Sequence, residues 1–356
     1  MSIRALMVGV LAGALMLAGG LAQADVFNMP SGQTSMAFVT VGNPGNASDT
    51  RGARYGAVPY AYQMGKYDVT LGQYCQFLNA VATTSDPYGL YNSYMATGMP
   101  TVAITQSGTA GNHSYSVTGS YSQAANCPVF DVTWGDAARF CNWLQNNQPT
   151  GTEGPGTTET GAYTLNGATT DAALMAITRN AGATYFIPTE DEWYKAACYN
   201  PSNASYWFFP TQSNAIPSNV RSATGTNNAN IRDDHSGYSD PTNFLTPVGA
   251  FAGSPGPYGT YDMGGDASQW TETAYGNDSR FTTGASWRQD WARFACNNTM
   301  NPDYPSDDDG SGDGGAGTTG FRVAASAVPE PASITLVVGG GLCLLAYAWR
   351  KRARTA

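Results

Sequence analysis

The chain has 356 residues, including 42 glycines and 20 prolines, and only 12% of it is charged. This abundance of turn-forming residues argues against a helical bundle or a coiled coil. The formal net charge of −9 at pH 7 argues against a sequence-independent grip on nucleic acid phosphates, which needs clustered lysine and arginine. Apolar residues make up 42% of the chain, which is enough for a packed core. We therefore expect one large, acidic, loop-rich domain.

Residues 1–24 have the pattern of a secretory signal peptide. Arg4 supplies a positive charge, residues 5–20 are mostly apolar, and residues 22–24 form an Ala-Gln-Ala cleavage site. An uncleaved membrane anchor is the alternative, which the small residues at the cleavage site disfavour. We expect export, cleavage by signal peptidase and a domain that occupies residues 25–327.

Three helices are predicted from the residues that begin them. Thr70 and Thr189 are followed three residues later by Gln73 and Glu192, the pattern of a capping box. A further helix is predicted after Thr133, where apolar residues recur at helical spacing. These helices are short and few for a domain of this size.

The rest of the domain is predicted to be strands and loops. Residues 36–70 alternate apolar and polar side chains, which predicts strands. Residues 85–125 are rich in Gly, Ser, Thr and Tyr and are predicted to form turns, and turns with short strands are predicted after residue 200. No internal repeat is visible. The predicted fold class is α+β, with few helices, short strands and a high loop content.

The C-terminal segment, residues 328–356, carries three signals in order. Pro329-Glu330-Pro331 precedes an apolar run at 332–349, and a basic end follows. An apolar run of this length can cross the ~30 Å core of a bilayer, and a basic flank favours a membrane anchor. The segment resembles the PEP-CTERM sorting signal of Gram-negative and related bacteria. That resemblance implies an exosortase as partner, a transient membrane anchor and delivery to the cell surface or matrix.

The charge becomes more acidic when both terminal segments are set aside. The remaining chain has 12 basic and 25 acidic residues, so cations are its natural partners. It also keeps five cysteines, an odd number, so at least one thiol is free or pairs with another chain. With only two histidines in the whole chain, a three-histidine metal site is excluded.

Six motifs follow one another through most of the domain. They are Tyr67–Thr70, Pro128–Trp134, Ile187–Trp193, Pro247–Gly249 with Tyr258–Met263, Gly284–Trp287 and Gly320–Ala324. Their order resembles the formylglycine-generating enzyme, or sulfatase-modifying factor, family, a variant of the C-type-lectin-like fold. The resemblance implies that fold for about residues 36–325. It does not by itself imply the family's activity.

The family's oxidases bind copper(I) through two cysteines placed three and eight residues after the serine of a Gly-Gly-Ser-Trp-like segment. Counted from Ser286, these positions hold Gln289 and Phe294. A linear copper(I) site needs two soft thiolates, and Cys296 is a single thiol. The resemblance implies instead a disulfide between Cys198 and Cys296. We therefore expect copper to be absent as a cofactor, and no catalytic residue is assigned.

The calcium sites of the family are matched more closely. The resemblance implies two sets of ligands, in which carboxylate, amide and carbonyl oxygens are mixed as Ca²⁺ prefers. The alternative is turns held by hydrogen bonds from Asn and Asp side chains. The first set is Asn230, Ile231, Asp240 and Thr242, and the second is Asp262, Gly265, Ala267 and Gln269, with glutamine where the family has glutamate.

An exposed ligand face is predicted around Trp287, Trp291 and Tyr304, beside the acids Asp307–Asp309. Residues 305–315 imitate half of an EF-hand loop, but Thr318 stands where the bidentate glutamate belongs, so a solvated acidic loop is preferred. Aromatic side chains beside carboxylates suit exopolysaccharide or another surface glycan. The leading hypothesis is therefore a surface- or matrix-displayed binding or structural protein without catalysis. The alternative is an oxidase or a related metal-dependent enzyme that acts on exported proteins.

Overall fold

The computed structural model describes residues 34–52, 54–298, 301–307 and 318–327. The chain divides into two units, residues 1–326 and 327–356, and the structure described below belongs to the first. The predicted signal peptide, the Pro329-Glu330-Pro331 motif and the apolar run at 332–349 lie outside the described residues. Among the residues described, no helix is long and apolar enough to cross a membrane.

Six α-helices occur in the described residues, and the three predicted ones are confirmed. Each of these three begins at a threonine whose side chain accepts a hydrogen bond from the third helical residue, while that residue's side chain accepts one from the threonine N–H. Such caps satisfy N–H groups that have no partner within a helix. The helices are α1 Leu71–Val81, α2 Tyr94–Thr97, α3 Trp134–Gln145, α4 Asp171–Met175, α5 Glu190–Cys198 and α6 Trp291–Phe294.

The strands are mostly short, as the sequence predicts. They are β1 Phe38–Val41, β2 Tyr62–Gly65, β3 Ala103–Thr109, β4 Asn112–Thr118, β5 Tyr185–Phe186, β6 Tyr199–Asn200, β7 Ser205–Tyr206, β8 Arg232–Asp233, β9 Gly237–Tyr238, β10 Ser268–Tyr275, β11 Ser279–Thr283, β12 Asn301–Asp303, β13 Thr319–Gly320 and β14 Ala324–Ser326.

Two four-stranded sheets organise the described chain. The first has the order β1-β2-β14-β5 and the second the order β12-β11-β10-β13. Strand β14 pairs antiparallel with both β2 and β5, so the last strand of the domain lies inside the first sheet. In the second sheet, β10 pairs antiparallel with β11 and parallel with β13.

The prediction of turns for residues 85–125 is wrong for part of that range. Strands β3 and β4 form an antiparallel hairpin whose register runs from Ala103 opposite Thr118 to Thr109 opposite Asn112. Much of the hairpin is exposed, so its Ser and Thr side chains meet water and resemble loop composition in the sequence. β-Branched Thr, Val and Ile nevertheless favour strands.

An aromatic core joins α1, α3 and the segment between β13 and β14. Phe140 of α3 lies 5.3 Å, centroid to centroid, from the ring of Phe77 on α1 and 5.3 Å from that of Phe321. All three side chains are fully buried. This packing fixes the Gly-Phe-Arg motif and carries Arg322 into the interior.

Candidate functional site

The segment that follows β11 holds the serine from which the family's cysteine positions are counted. Gly284 has a φ of +93°, and a Cβ there would lie 2.7 Å from the Met263 carbonyl oxygen and 3.0 Å from the Trp193 ring. Only glycine tolerates both the conformation and the close approach. The segment is therefore held tightly against the bend at Met263, which precedes β10.

Both family cysteine positions have structural roles in this chain. The Gln289 side-chain oxygen accepts a hydrogen bond from the Ser286 N–H at 3.1 Å, and its carbonyl accepts one from the Arg232 N–H at 2.9 Å. Phe294 is 1% exposed, and its ring stacks on that of Phe209 at 6.0 Å in a second apolar cluster. An amide that closes a turn and a buried phenyl ring cannot bind copper(I) as thiolates do.

The remaining thiol near this segment, that of Cys296, also has a structural role. Cys296 forms a disulfide with Cys198, the pair that the resemblance implies, and the two Cα atoms are 6.4 Å apart. The free cysteines in the described chain are Cys75, Cys127 and Cys141, and all three are buried. Burial raises the pKa of each thiol and so disfavours the thiolate, the form that binds metal.

The first predicted calcium set has one feature that fits a hard cation. The Asn230 amide nitrogen donates to the Phe244 carbonyl and to Asp266 Oδ1, each at 2.8 Å. Its amide oxygen is buried and has no hydrogen-bond partner. A buried oxygen without a donor is costly unless a ligand satisfies it, and an amide oxygen suits Ca²⁺.

Asp240 and Ile231 lie in the loops that adjoin Asn230. The Ser239 hydroxyl donates to the Ile231 carbonyl at 3.3 Å, which joins the two loops. The Asp240 carboxylate accepts from the Thr242 and Asn243 N–H groups at 3.1 and 2.9 Å. Among the described residues, no three His, Cys, Asp or Glu side chains stand together as a metal site. Calcium here would depend on amide and carbonyl oxygens as well as on Asp240.

In the second predicted calcium set, the Gln269 side chain is engaged in hydrogen bonds with protein groups. The Gln269 side-chain oxygen accepts from Trp193 Nε1 at 2.7 Å and from Arg322 Nε at 3.1 Å, so both of its lone pairs are used. Its amide nitrogen donates to the Asp262 carbonyl at 2.9 Å. The guanidinium of Arg322 supplies the positive charge at this position. Gly265 and Ala267, the other two members of this set, lie in the turn that leads into β10.

Burial raises the pKa of two carboxyl groups, those of Asp266 and Glu190, and so favours their neutral forms. Burial raises the pKa of Asp266 to about 8, with a further rise from the neighbouring Asp262. Burial likewise raises the pKa of Glu190 to about 8, against the opposing effect of its hydrogen bond from Thr283. The interior is therefore less negative than the sequence suggests.

The predicted ligand face is only partly formed. Trp287 is 7% exposed, because its ring packs against those of Phe244 at 4.6 Å and Tyr238 at 5.4 Å, so the expectation that it is exposed is wrong. Trp291 and Tyr304 are 41% and 50% exposed, which leaves both rings available at the surface. Asp308 and Asp309 lie outside the described residues.

Sequence reasoning did not identify Tyr275, another exposed aromatic residue near Tyr304. Both tyrosines line a surface cleft of about 350 Å³ at the end of the second sheet. The signal was present, because Gly276-Asn277-Asp278 is a turn sequence between two strand-forming segments. The turn sets Tyr275 opposite Ser279, but the position of Tyr304 depends on a third strand.

The comparisons with known proteins give one matching family model and several similar solved structures. The family model described as "Sulfatase-modifying factor enzyme 1-like domain" matches residues 22–327. The Treponema denticola variable protein 1 structure is 17% identical with a TM-score of 0.50, and the match covers 84% of this chain and 98% of that one. The structure titled "Crystal Structure of CarF" is 17% identical with a TM-score of 0.47, and the match covers 82% of this chain and 99% of that one. None of the curated proteins compared with the chain matches it. The chain belongs to the sulfatase-modifying factor enzyme 1-like domain family.

Proposed function

We propose that this protein is an exported, non-catalytic binding protein that displays a sulfatase-modifying-factor domain on the cell surface or in the extracellular matrix. The observation that carries the proposal is the structural use of both cysteine positions. Gln289 closes the turn at Ser286, and Phe294 fills an apolar cluster. Cys296, two residues after Phe294, is held in a disulfide. Among the described residues, Gln289, Phe294 and Cys296 therefore all stabilise the fold at this segment.

The export part of the proposal rests on the two terminal sequences. The Ala-Gln-Ala site at residues 22–24 suits signal peptidase, and Pro329-Glu330-Pro331 with its apolar run and basic end suits an exosortase. A disulfide in the domain is in keeping with an oxidising compartment. Processing of the tail would turn a transient membrane anchor into surface or matrix attachment.

Calcium is proposed for the first ligand set alone. Asn230 would contribute its unpartnered amide oxygen and Asp240 its carboxylate, with carbonyl oxygens from Ile231 and Thr242. When bound, the cation would share Asp240 with Arg221, whose Nη1 lies 3.5 Å from Asp240 Oδ2, and would tie the 229–231 loop to the 239–242 loop. The calcium ion would have a structural role. It would support the surface that these two loops form together with the segment after Ser286.

The proposed ligand is exopolysaccharide or another surface glycan. Trp291 and Tyr304 present exposed rings, and large exposed aromatic groups commonly mark binding surfaces. The acidic domain has few positively charged side chains that could bind an anionic ligand. A neutral glycan, with apolar ring faces and hydroxyl donors, matches this surface best.

A pull-down with exopolysaccharide from the producing organism tests the proposal. We expect the purified protein to be retained, and Trp291→Ala to lower retention severalfold, because the exposed ring supplies contact area. Tyr94→Ala is the control, since Tyr94 is 50% exposed, against 41% for Trp291, and lies on α2. Equal retention of wild type and Trp291→Ala would show that Trp291 does not contact the glycan. No retention of either protein would contradict glycan binding.

The alternative, an oxidase acting on exported proteins, is favoured by family membership alone. It would need metal ligands other than the two family cysteines, since Gln289 and Phe294 occupy those positions. A copper(I) titration coupled to oxygen consumption separates the two functions.

A further inference from the structure

Three strands of the second sheet end together and bring two exposed tyrosines into one row. Tyr275 at the end of β10 stands opposite Ser279, the first residue of β11. Arg280 of β11 stands opposite Asp303 of β12, so the register extended by one residue sets Tyr304 beside Ser279. Residues opposite one another on neighbouring strands project from the same face of a sheet. The small Ser279 side chain therefore lies between the two tyrosines.

The row forms an open slot with aromatic walls. Tyr275 and Tyr304 are 53% and 50% exposed, and both line a cleft of about 350 Å³. Pro302, which stands opposite Phe281 in the β11–β12 register, adds an apolar surface to the lining. Exposed rings on a shared cleft offer contact area to a ligand.

The width of the slot suits one saturated ring. Neighbouring strands lie about 4.8 Å apart, so two residues separated by one intervening strand have backbones roughly 9.6 Å apart. A ring held between two aromatic faces, with carbon contacts of about 3.5–4 Å on each side, needs roughly 7–8 Å. A pyranose has two faces that carry C–H groups and a rim of hydroxyls, and it meets both requirements.

The polar groups of the slot accept hydrogen bonds from a neutral ligand. Asp278 is exposed at the rim, and its Oδ1 accepts from the Ser279 hydroxyl at 3.1 Å. Its carboxylate has further lone pairs for sugar hydroxyls. In the part of the chain that the structure describes, no Lys or Arg lines this cleft, so a sulfated or carboxylated sugar has no counter-charge there.

One wall of the slot is fixed before any ligand arrives. The Tyr275 ring packs against Phe281 at 5.2 Å, and Phe281 in turn contacts Tyr55 at 6.2 Å. Phe281 is 7% exposed, so it is a rigid support. A wall that is already ordered loses little conformational entropy on binding.

We propose that the slot between Tyr275 and Tyr304, over Ser279, binds one neutral pyranose unit of a polysaccharide. The inference rests on the proposed glycan-binding function and names its site. Tyr275, Ser279 and Asp278 thereby join Tyr304 in the recognition surface, whereas Trp287 does not.

Isothermal titration of the purified protein with neutral hexasaccharides of glucose, galactose and mannose, and with a sulfated galactan oligosaccharide, tests the slot. We expect at least one neutral sugar to bind and the sulfated one to bind more weakly. Tyr275→Ala and Tyr304→Ala should each weaken binding by about tenfold, because each removes one stacking face. Tyr275→Phe should stay within about twofold of wild type, since the ring remains.

Tyr94→Ala is the control for loss of an exposed tyrosine elsewhere, and the melting temperature of each variant checks its fold. Unchanged binding in Tyr275→Ala, or binding of the sulfated sugar alone, would overturn the slot. Wild-type binding that is lost in Trp291→Ala but kept in both tyrosine variants would overturn the slot and leave glycan binding intact. If none of the neutral sugars binds, the proposed pyranose site is also wrong. Retention of the protein on the native exopolysaccharide then decides whether it binds glycans at another site.

Discussion

Replacing Arg322 with methionine should lower the free energy of unfolding by about 3–5 kcal/mol, the range for breaking a buried ion pair. Arg322 is fully buried. Its guanidinium donates to Asp68 Oδ1 at 3.2 Å, to the Gly65 carbonyl at 2.8 Å and to the Tyr261 carbonyl at 2.7 Å. Methionine has a similar volume but cannot donate, so these acceptors would be left buried without partners.

Both members of the Arg322–Asp68 pair are buried, so the loss of one partner leaves the other without compensation. Burial raises the pKa of Asp68 well above its usual range and lowers the pKa of Arg322, so desolvation outweighs the attraction between them. The intact pair therefore stabilises the fold modestly, whereas one partner left buried without the other destabilises it. Asp68→Asn combined with Arg322→Met should recover part of the loss.

Urea unfolding followed by tryptophan fluorescence measures these free energies. Arg288→Met is the matched control, since Arg288 is exposed and its replacement should change stability by no more than about 0.5 kcal/mol. Equal stabilities of the Arg322→Met and Arg288→Met variants would show that the buried hydrogen bonds of Arg322 are not required for the fold.

Removing the disulfide should lower the free energy of unfolding by about 2–5 kcal/mol. Cys198 and Cys296 are separated by 98 positions, so the bridge closes a long loop and restricts the unfolded chain. It also joins the end of α5 to the residues just after α6. The Cys198→Ala and Cys296→Ala double variant should therefore melt well below wild type.

Unfolding with and without a reducing agent provides the comparison. Reduction should destabilise wild type by about as much as the double substitution does, and it should leave the double variant unchanged. A wild type that is insensitive to reductant while its disulfide is shown to be open would contradict a stabilising role for the bridge.

Local features of the fold were accessible from sequence because they depend on residues close together in the chain. The capping boxes at Thr70 and Thr189 need only a partner three residues away, and both occur in the structure. The motif order indicated the family to which the chain belongs. The identities of Gln289 and Phe294 followed from counting along one segment.

The exposure of side chains was less accessible because it depends on distant partners. Trp287 is covered by Phe244 and Tyr238, which come from a loop and a strand far along the chain. The side-chain oxygen of Gln269 is used by Trp193 and Arg322, which no spacing rule relates to it. The slot at Tyr275 depends on the register of three strands, one of which comes after α6.

The same dependence explains the hairpin formed by β3 and β4. Its strands carry mostly polar side chains, so the alternation that marks a half-buried strand is weak. Contact with α1 supplies part of its stability, since the Asn79 side chain donates to the Tyr115 carbonyl and accepts from the Tyr115 N–H. Such a side-chain clamp cannot be inferred from the composition of residues 85–125.

A copper(I) titration of the purified protein, read together with oxygen consumption in the presence of a Cys-x-Pro-x-Arg peptide, tests the central claim most directly. The family's copper chemistry needs a pair of thiolates, whereas this chain places Gln289 and Phe294 at those positions and holds Cys296 in a disulfide. We predict no stoichiometric copper(I) binding and no oxygen uptake above the rate of peptide and copper alone. Binding of one copper(I) per protein with peptide-dependent oxygen uptake would contradict a non-catalytic function.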